Sequence, residues 1–177
     1  MDFCEMINKR QSCRNFNPEK EIEDSILEKI IEAGRLSPSA CNSQPYFFTA
    51  IKGEKLKEIA KLTQRGIGIN KFTDNANAFI IISEEAYNLT AAAGAKVKHN
   101  DYRSIDIGIA TAFMTLQAYD LGVDSCIIGW FEDEKIREIT GIKNKIRLII
   151  ALGYASDEDK LRVKKRKEIS KLANFIK

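Results

Sequence analysis

The chain has 177 residues, of which 44% are hydrophobic and 30% charged, a composition typical of a globular protein with one well-formed core. A formal net charge of +3 is too small to indicate nucleic-acid binding by itself. The richest apolar stretch, AFIIIS at 78–83, is too short to span a membrane. We therefore expect one domain over residues 1–177, with neither a nucleic-acid nor a membrane partner.

The N-terminus and the cysteines both indicate a reducing compartment. The first residues include acids and no apolar signal segment, which predicts a cytoplasmic location. The chain has one histidine, His99, in a polar segment that we interpret as a solvated loop. No two cysteines have CxxC spacing, which excludes the usual zinc patterns and indicates free thiols at Cys4, Cys13, Cys41 and Cys126.

Hydrophobic spacing predicts five elements in the first half of the chain. Apolar residues at helical intervals, and short β-branched or aromatic runs, are the two signals used. They give helices over 2–11, 24–37 and 53–64 and strands over 45–51 and 78–83. The stretch 84–100 is polar with several alanines, and both a helix and a mobile loop remain open for it.

The second half continues the alternation of helices and strands. The predicted elements are a long helix over 102–121, a strand over 123–131, a short helix over 132–141 and a strand over 145–154. The inward face of the long helix is expected to carry Ile105, Ile109, Ala112, Phe113 and Leu116. Alternation by itself favours a parallel sheet. Neither a complete GxGxxG nor a GxxxxGK[ST] motif is present to bind phosphate.

The segment KRQSCRNF at 9–16 is a candidate anion site. Arg10 and Arg14 bracket the hydroxyl of Ser12, and guanidinium groups with a hydroxyl donor suit a phosphate. The alternative is that both arginines are simply solvated on the surface.

Four segments, in this order, resemble the FMN-dependent nitroreductase family. They are KRQSCRNF at 9–16, SPSACNSQPYFF at 37–48, GVDSCIIGWF at 122–131 and VKKRKEI at 163–169. The resemblance implies an α+β fold with a mostly antiparallel central sheet between helices. It also implies a homodimer in which the C-terminal segment extends onto the partner subunit, with FMN sites at the interface.

The resemblance assigns the basic residues to the cofactor. Arg10 and Ser12 would contact the FMN phosphate, and Lys164 and Arg166 from the tail would complete the phosphate cage. Arg14 would lie at the ribityl and pyrimidine end, where a cation stabilises the reduced flavin.

The resemblance also assigns residues to the flavin ring. In the loop after the second helix, the residues implied are Pro38, Ser39, Ala40, Asn42 and Gln44, which would serve the flavin of the partner subunit. A backbone N–H near Ile128 and Gly129 would meet flavin N5, and Asn70 and Lys71 would lie near the pyrimidine edge.

The implied activity is transfer of hydride from NADH or NADPH through flavin N5 to a small nitroaromatic- or quinone-like acceptor, by a ping-pong mechanism. No catalytic acid or base is required, because the cofactor carries the chemistry. Two alternatives stay open. One is a flavin-binding protein without NAD(P)H turnover, and the other is a polyanion-binding module that uses the basic tail KLRVKKRKEISK at 160–171.

Overall fold

The computed structural model describes residues 2–64 and 68–176. In chain order, its helices and strands are α1 (Phe3–Lys9), α2 (Asp24–Arg35), β1 (Tyr46–Ile51), α3 (Glu54–Thr63), β2 (Ala78–Glu84), α4 (Leu89–Lys98), α5 (Tyr102–Asp120), β3 (Asp124–Ile128), α6 (Asp133–Thr140) and β4 (Ile146–Gly153). Every helix and strand predicted from spacing is present. In the described part of the chain, no helix combines the length and the apolar character needed to cross a membrane.

The four strands form one sheet in the order β1-β2-β4-β3, and each neighbouring pair is antiparallel. This confirms the α+β fold with an antiparallel sheet and shows that the parallel sheet favoured by alternation was wrong. Alternation of helices and strands does not by itself set the strand direction, because a helix can join antiparallel neighbours as well as parallel ones. Here α3 joins the antiparallel neighbours β1 and β2, and α6 joins the antiparallel neighbours β3 and β4, whereas β2 and β3 run in the same direction with β4 between them.

Helices cover both faces of the sheet, and the central strand β2 is therefore buried along almost its whole length. One face of β2 presents Phe79 and Ile81, which pack in a core cluster with residues of α3 and α6 such as Ile59 and Ile136. The other face presents Ile80 and Ile82, in a cluster with residues of α2 and α5 such as Ile30 and Met114. Successive side chains of a strand point to opposite faces, so one strand organises both cores.

The long helix α5 presents a different face to the core from the one expected. Phe113 is 42% exposed and Ile105 is 48% exposed, whereas Thr111 and Thr115 are buried. The hydroxyl groups of the buried threonines find hydrogen-bond acceptors within the helix. The Thr111 hydroxyl, for example, donates to the Ile107 carbonyl at 2.6 Å. The predicted inward face was therefore wrong, and its apolar residues form a surface that the described chain leaves open.

Helix α4 occupies the stretch for which helix and loop were both open. Asn88 caps it, with its side-chain oxygen accepting a hydrogen bond from the Ala91 N–H at 2.9 Å. Leu89 and Val97 are 91% and 73% exposed, and Ala91 is the buried residue of the helix. A helix with so little buried surface has no apolar stripe, which explains why spacing did not assign it.

All four cysteines are free. Cys4 and Cys41 are exposed, and Cys13 and Cys126 are buried. Burial raises the pKa of the Cys13 thiol to about 12, so this thiol stays neutral and is a poor nucleophile.

An ion-pair network joins the end of β2 to β4 and to the start of α5. Glu84 accepts hydrogen bonds from Arg147 at 2.6 Å and from Arg103 at 2.7 Å. The Arg103 guanidinium also lies 4.6 Å from the centre of the Tyr87 ring. Although burial favours the protonated carboxyl, the hydrogen bonds from the two arginines lower the pKa of Glu84 below 4.5.

Glu84→Gln is expected to lower the free energy of unfolding by about 1–3 kcal/mol at neutral pH. Because the folded-state pKa of Glu84 is depressed, its stabilisation is present above the unfolded-state pKa and disappears as pH falls through the folded-state pKa. Urea unfolding of both proteins across the acidic range checks this. The difference in the free energy of unfolding between the two proteins should disappear at acidic pH. A difference that stays constant with pH would exclude an effect of the Glu84 charge.

Candidate functional site

The segment that contains Arg10 and Arg14 lies along the outer edge of β3. Ser12 forms a parallel bridge with Ser125, and the Cys13 N–H donates to the Ser125 carbonyl at 3.0 Å. The Cys13 side chain is fully buried, whereas Arg14 is exposed. Alternation along this extended segment therefore turns the serine and the arginines away from the core while the thiol anchors it.

The C-terminal tail folds back onto the same segment. The Lys164 ammonium donates to the Arg10 carbonyl and the Arg162 guanidinium donates to the Ser12 carbonyl, both at 2.5 Å. Together they enclose a shallow cavity of about 330 Å³, lined by Arg10, Gln11, Ser12, Arg14, Arg162, Val163, Lys164, Lys165 and Arg166. Five of the predicted cofactor-binding residues line this cavity: Arg10, Ser12, Arg14, Lys164 and Arg166. Arg162 also lines it, although it was not predicted as a site residue.

The charges around this cavity are almost all positive. Within residues 2–64 and 68–176, the cations that line it make one ion pair, between Arg162 and Asp159 at 2.8 Å. Partial burial, together with the neighbouring guanidinium groups of Arg10, Arg166 and Arg162, lowers the pKa of Lys164. Like charges held this close repel one another, so the arrangement favours a bound anion that carries more than one negative charge.

The loop over 38–44 has a strained and heavily hydrogen-bonded backbone. Cys41, Asn42 and Gln44 have φ angles of 51°, 49° and 46°, in the left-handed region that is uncommon for residues other than glycine. The Ser39 hydroxyl accepts a hydrogen bond from the Gln44 N–H at 3.0 Å. The Gln44 amide in turn donates to the Asn42 side-chain oxygen at 3.1 Å. Such strain persists only where surrounding contacts fix it.

Two side chains from other elements fix this loop. Asp106 of α5 is 2% exposed and accepts a hydrogen bond from the Ala40 N–H at 3.1 Å. Asn88, which caps α4, donates from its side chain to the Cys41 carbonyl at 2.9 Å. The loop, including the exposed Pro38 at its start, is therefore held by α4 and α5.

The end of β3 forms a third part of the candidate site. Ile128 ends the strand with its side chain buried, and Gly129 is exposed with open space beside its Cα. The Asn70 amide donates to the carbonyls of Thr63 and Trp130 at 3.1 and 3.3 Å, which ties the strand end to a neighbouring loop. Lys71 lies next to Asn70 with its side chain exposed.

A single chain does not bring all the predicted site residues together. The cationic cavity is lined by residues of the 10–14 segment and of the tail, and the 38–44 loop is hydrogen-bonded instead to Asp106 and Asn88. Sequence reasoning also did not select Gln11, Arg162 or Asp106. The basic tail offered a signal for Arg162, but its fold onto residues 10–12 is a long-range contact that spacing does not encode.

Comparisons with known proteins agree with this fold. A model of the nitroreductase family matches residues 7–67 and 64–154. A Helicobacter pylori protein named an oxygen-insensitive NADPH nitroreductase is 26% identical over 195 residues, which cover 92% of each chain. An Archaeoglobus fulgidus protein whose name includes NAD(P)H nitroreductase is 30% identical over 167 residues, covering 89% of this chain and 88% of that one.

Solved structures give the same result. The structure of an FMN-dependent nitroreductase from Clostridium difficile has a TM-score of 0.71 and 28% identity, covering 89% of this chain and 90% of that one. A nitroreductase family protein from Streptococcus pneumoniae is similar in fold, with a TM-score of 0.82 at 23% identity over 99% of this chain and 100% of that one. The family match extends over most of the chain, and the chain belongs to the nitroreductase family of oxidoreductases.

Proposed function

We propose that this protein is a homodimeric FMN-dependent oxidoreductase that takes hydride from NADH or NADPH. The electrons pass to a small nitroaromatic- or quinone-like acceptor. The observation that carries the proposal is the cavity in which Arg10, Arg14, Lys164 and Arg166 meet without a carboxylate partner among the described residues. The names of the Clostridium difficile and Helicobacter pylori relatives, which mention FMN and NADPH, support the same assignment.

The residues around the cavity fit the phosphate of FMN. Arg10, Lys164 and Arg166 supply positive charge, and the Ser12 hydroxyl supplies a neutral donor. A phosphate monoester accepts several hydrogen bonds, and guanidinium groups match its geometry in pairs. Arg162 is already paired with Asp159, so it would orient the tail and add to the positive electrostatic potential of the cavity.

Bound FMN would supply hydride transfer at N5, and the chain's residues would bind and orient it. The open space beside Gly129 leaves room for a planar ring to approach the strand end. Arg14 would place a cation at the pyrimidine side of the ring. Donor and acceptor would occupy the same stacking position in turn, from which we expect ping-pong kinetics.

A second subunit is needed to complete the site. The apolar face of α5 is open, and with α1 it lines a depression of about 400 Å³ that includes Phe3, Met6, Phe113 and Leu116. An open apolar surface of this kind favours association. In the proposed dimer, two copies pair through this face, and the 38–44 loop of one subunit serves the site of the other.

The tail and the free edge of β1 are a second pair of complementary surfaces. Leu172, Phe175 and Ile176 are 63%, 82% and 92% exposed. Beside β1, Phe47 and Ile142 line a groove of about 440 Å³. Addition of an extended segment to an unpaired strand edge is a common mode of protein association. We assign the groove to the C-terminal segment of the partner subunit.

The visible spectrum of the purified protein tests the proposed function. We expect a yellow protein that releases FMN on denaturation. NADH or NADPH should bleach it without oxygen, and a nitroaromatic or a quinone should restore the colour. A colourless protein that does not bind added FMN would refute the proposal. A yellow protein that neither nucleotide bleaches would instead support a flavin protein without NAD(P)H turnover.

A further inference from the structure

Gln11 has an unusual set of contacts for a side chain between two phosphate-site residues. Its amide nitrogen lies 3.2 Å from the Asp159 carboxylate and 3.3 Å from the Lys160 carbonyl. Its amide oxygen accepts a hydrogen bond from the Arg162 N–H at 3.0 Å. One carboxamide therefore donates to the start of the tail and accepts from it, and binds nothing else in the described residues.

The contacts of Gln11 lie where the tail turns towards the cationic cavity. Asp159 is held on its other side by Arg162, and its side chain is 5% exposed. Beyond this point, Lys164 reaches the Arg10 carbonyl. The tail residues after Arg162, with the exception of the half-buried Lys164, are exposed. Gln11 and Asp159 thus hold the tail just before Arg162 and Lys164 bind the carbonyls of Ser12 and Arg10.

Holding the tail here works against electrostatic repulsion. Arg162, Lys164 and Arg166 of the tail face Arg10 and Arg14 across the cavity. Like charges resist this approach, and the lowered pKa of Lys164 reflects the same field. The tail is held against this repulsion by hydrogen bonds from Lys164 and Arg162 to the carbonyls of Arg10 and Ser12, and by the contacts of the uncharged Gln11 side chain, which adds no positive charge to the cavity.

We propose that Gln11 is a positioning residue that latches the C-terminal tail to the Arg10–Arg14 segment, so that Lys164 and Arg166 complete the phosphate site. This inference rests on the proposed function for the identity of the anion. The latch itself is a property of the protein without cofactor.

The chemistry of the carboxamide suits this role. A glutamate would lose the donor and would set a carboxylate against Asp159. A lysine would lose the acceptor for the Arg162 N–H and would add to the repulsion. A serine is too short to reach both partners. A neutral group with a donor and an acceptor on a flexible stem meets every requirement.

The first test uses the protein without cofactor. Trypsin cleaves after lysine and arginine, and the tail offers Lys164, Lys165 and Arg166. Gln11→Ala should increase the rate of cleavage in the tail several-fold, and Gln11→Glu should act in the same direction. Asn15→Ala is the matched control, because Asn15 meets the tail through one 3.4 Å contact with Glu158, before the latch. Unchanged cleavage in both Gln11 variants would overturn the latch.

The second test asks whether Gln11 acts through the tail. Gln11→Ala should weaken FMN binding roughly three- to tenfold, and riboflavin binding should not change, because riboflavin has no phosphate. In a Lys164→Ala/Arg166→Ala background, Gln11→Ala should have almost no further effect. An equal loss of FMN affinity in both backgrounds, or a parallel loss for riboflavin, would overturn the positioning role.

These readouts separate two kinds of failure. If the wild-type protein does not bind FMN, the proposed function fails, and the trypsin test still decides whether Gln11 holds the tail. If the wild-type protein binds FMN and the cleavage rates do not differ, the latch fails and the proposed function stands.

Discussion

Phe113→Asp is expected to convert the proposed dimer into a monomer at micromolar concentration. The ring of Phe113 is 42% exposed on the open face of α5, beside the apolar depression shared with α1. In a twofold dimer each substitution is present twice, and a buried unpaired carboxylate costs several kcal/mol. The dimer dissociation constant should rise by at least about a thousandfold, equivalent to roughly 4 kcal/mol.

Sedimentation velocity of the wild-type and variant proteins measures this effect. Phe113→Leu is the control, because it keeps an apolar side chain at the same place and should remain dimeric. The far-UV circular dichroism of Phe113→Asp should match that of the wild type, since the ring contributes little to the two core clusters. If Phe113→Asp stays a dimer, the α5 face is not the interface. The monomer should also bind FMN poorly, because it lacks the 38–44 loop of a partner.

Arg10→Ala is expected to weaken FMN binding about ten- to a hundredfold. A charged hydrogen bond in a shielded site contributes about 1.5–3 kcal/mol, and Arg10 is half-buried in the cavity wall. Riboflavin affinity should hardly change. The latch should survive, because Gln11 binds Asp159, Lys160 and Arg162 without the Arg10 side chain. Fluorescence titration of the apoprotein with each ligand gives both constants.

Two further variants make the result specific. Arg166→Ala should reproduce the contrast between the two ligands. Lys160→Ala should leave both affinities unchanged, because its side chain is exposed and lies outside the cavity lining. An equal loss of FMN and riboflavin affinity in Arg10→Ala would make Arg10 a structural residue. If Lys160→Ala matched Arg166→Ala, the tail would act as a diffuse basic patch, as in a polyanion-binding module.

Local sequence pattern predicted the helices and strands other than α4, but it did not predict how they pack together. The strand at 78–83 and the helix at 53–64 could be predicted because their burial follows simple periods. The face of α5 could not, because the rule that apolar residues face the core assumes a single chain. In α5, Thr111 is buried with its hydroxyl donating to the Ile107 carbonyl, and Asp106 is buried with one carboxylate oxygen accepting from the Ala40 N–H. Phe113 is left on the exposed face of the helix.

The candidate site, like the fold, could be predicted only in part from the sequence. The motif KRQSCRNF was enough to select Arg10 and Ser12, and the family resemblance added Lys164 and Arg166; the fold places these four around one cavity. The antiparallel order of the strands came from the family resemblance, since alternation pointed to the opposite arrangement. The role of Gln11, which lies within the first motif, was not predicted. Its hydrogen-bond partners begin 148 positions further along the chain, and no spacing rule connects them.

The distance between these partners has a consequence for biosynthesis. The Arg10–Arg14 segment is synthesised well before residues 159–164, with which it makes contact. At about 5–20 residues per second, roughly 7–30 s separate the synthesis of the two sides of the cavity. The four strands lie between them in sequence, so the sheet is free to assemble before the cavity closes. Under the proposed function, the complete phosphate site therefore exists only after both segments have been synthesised. A nascent chain that stops before residue 159 would carry the sheet of the family without a complete anion site.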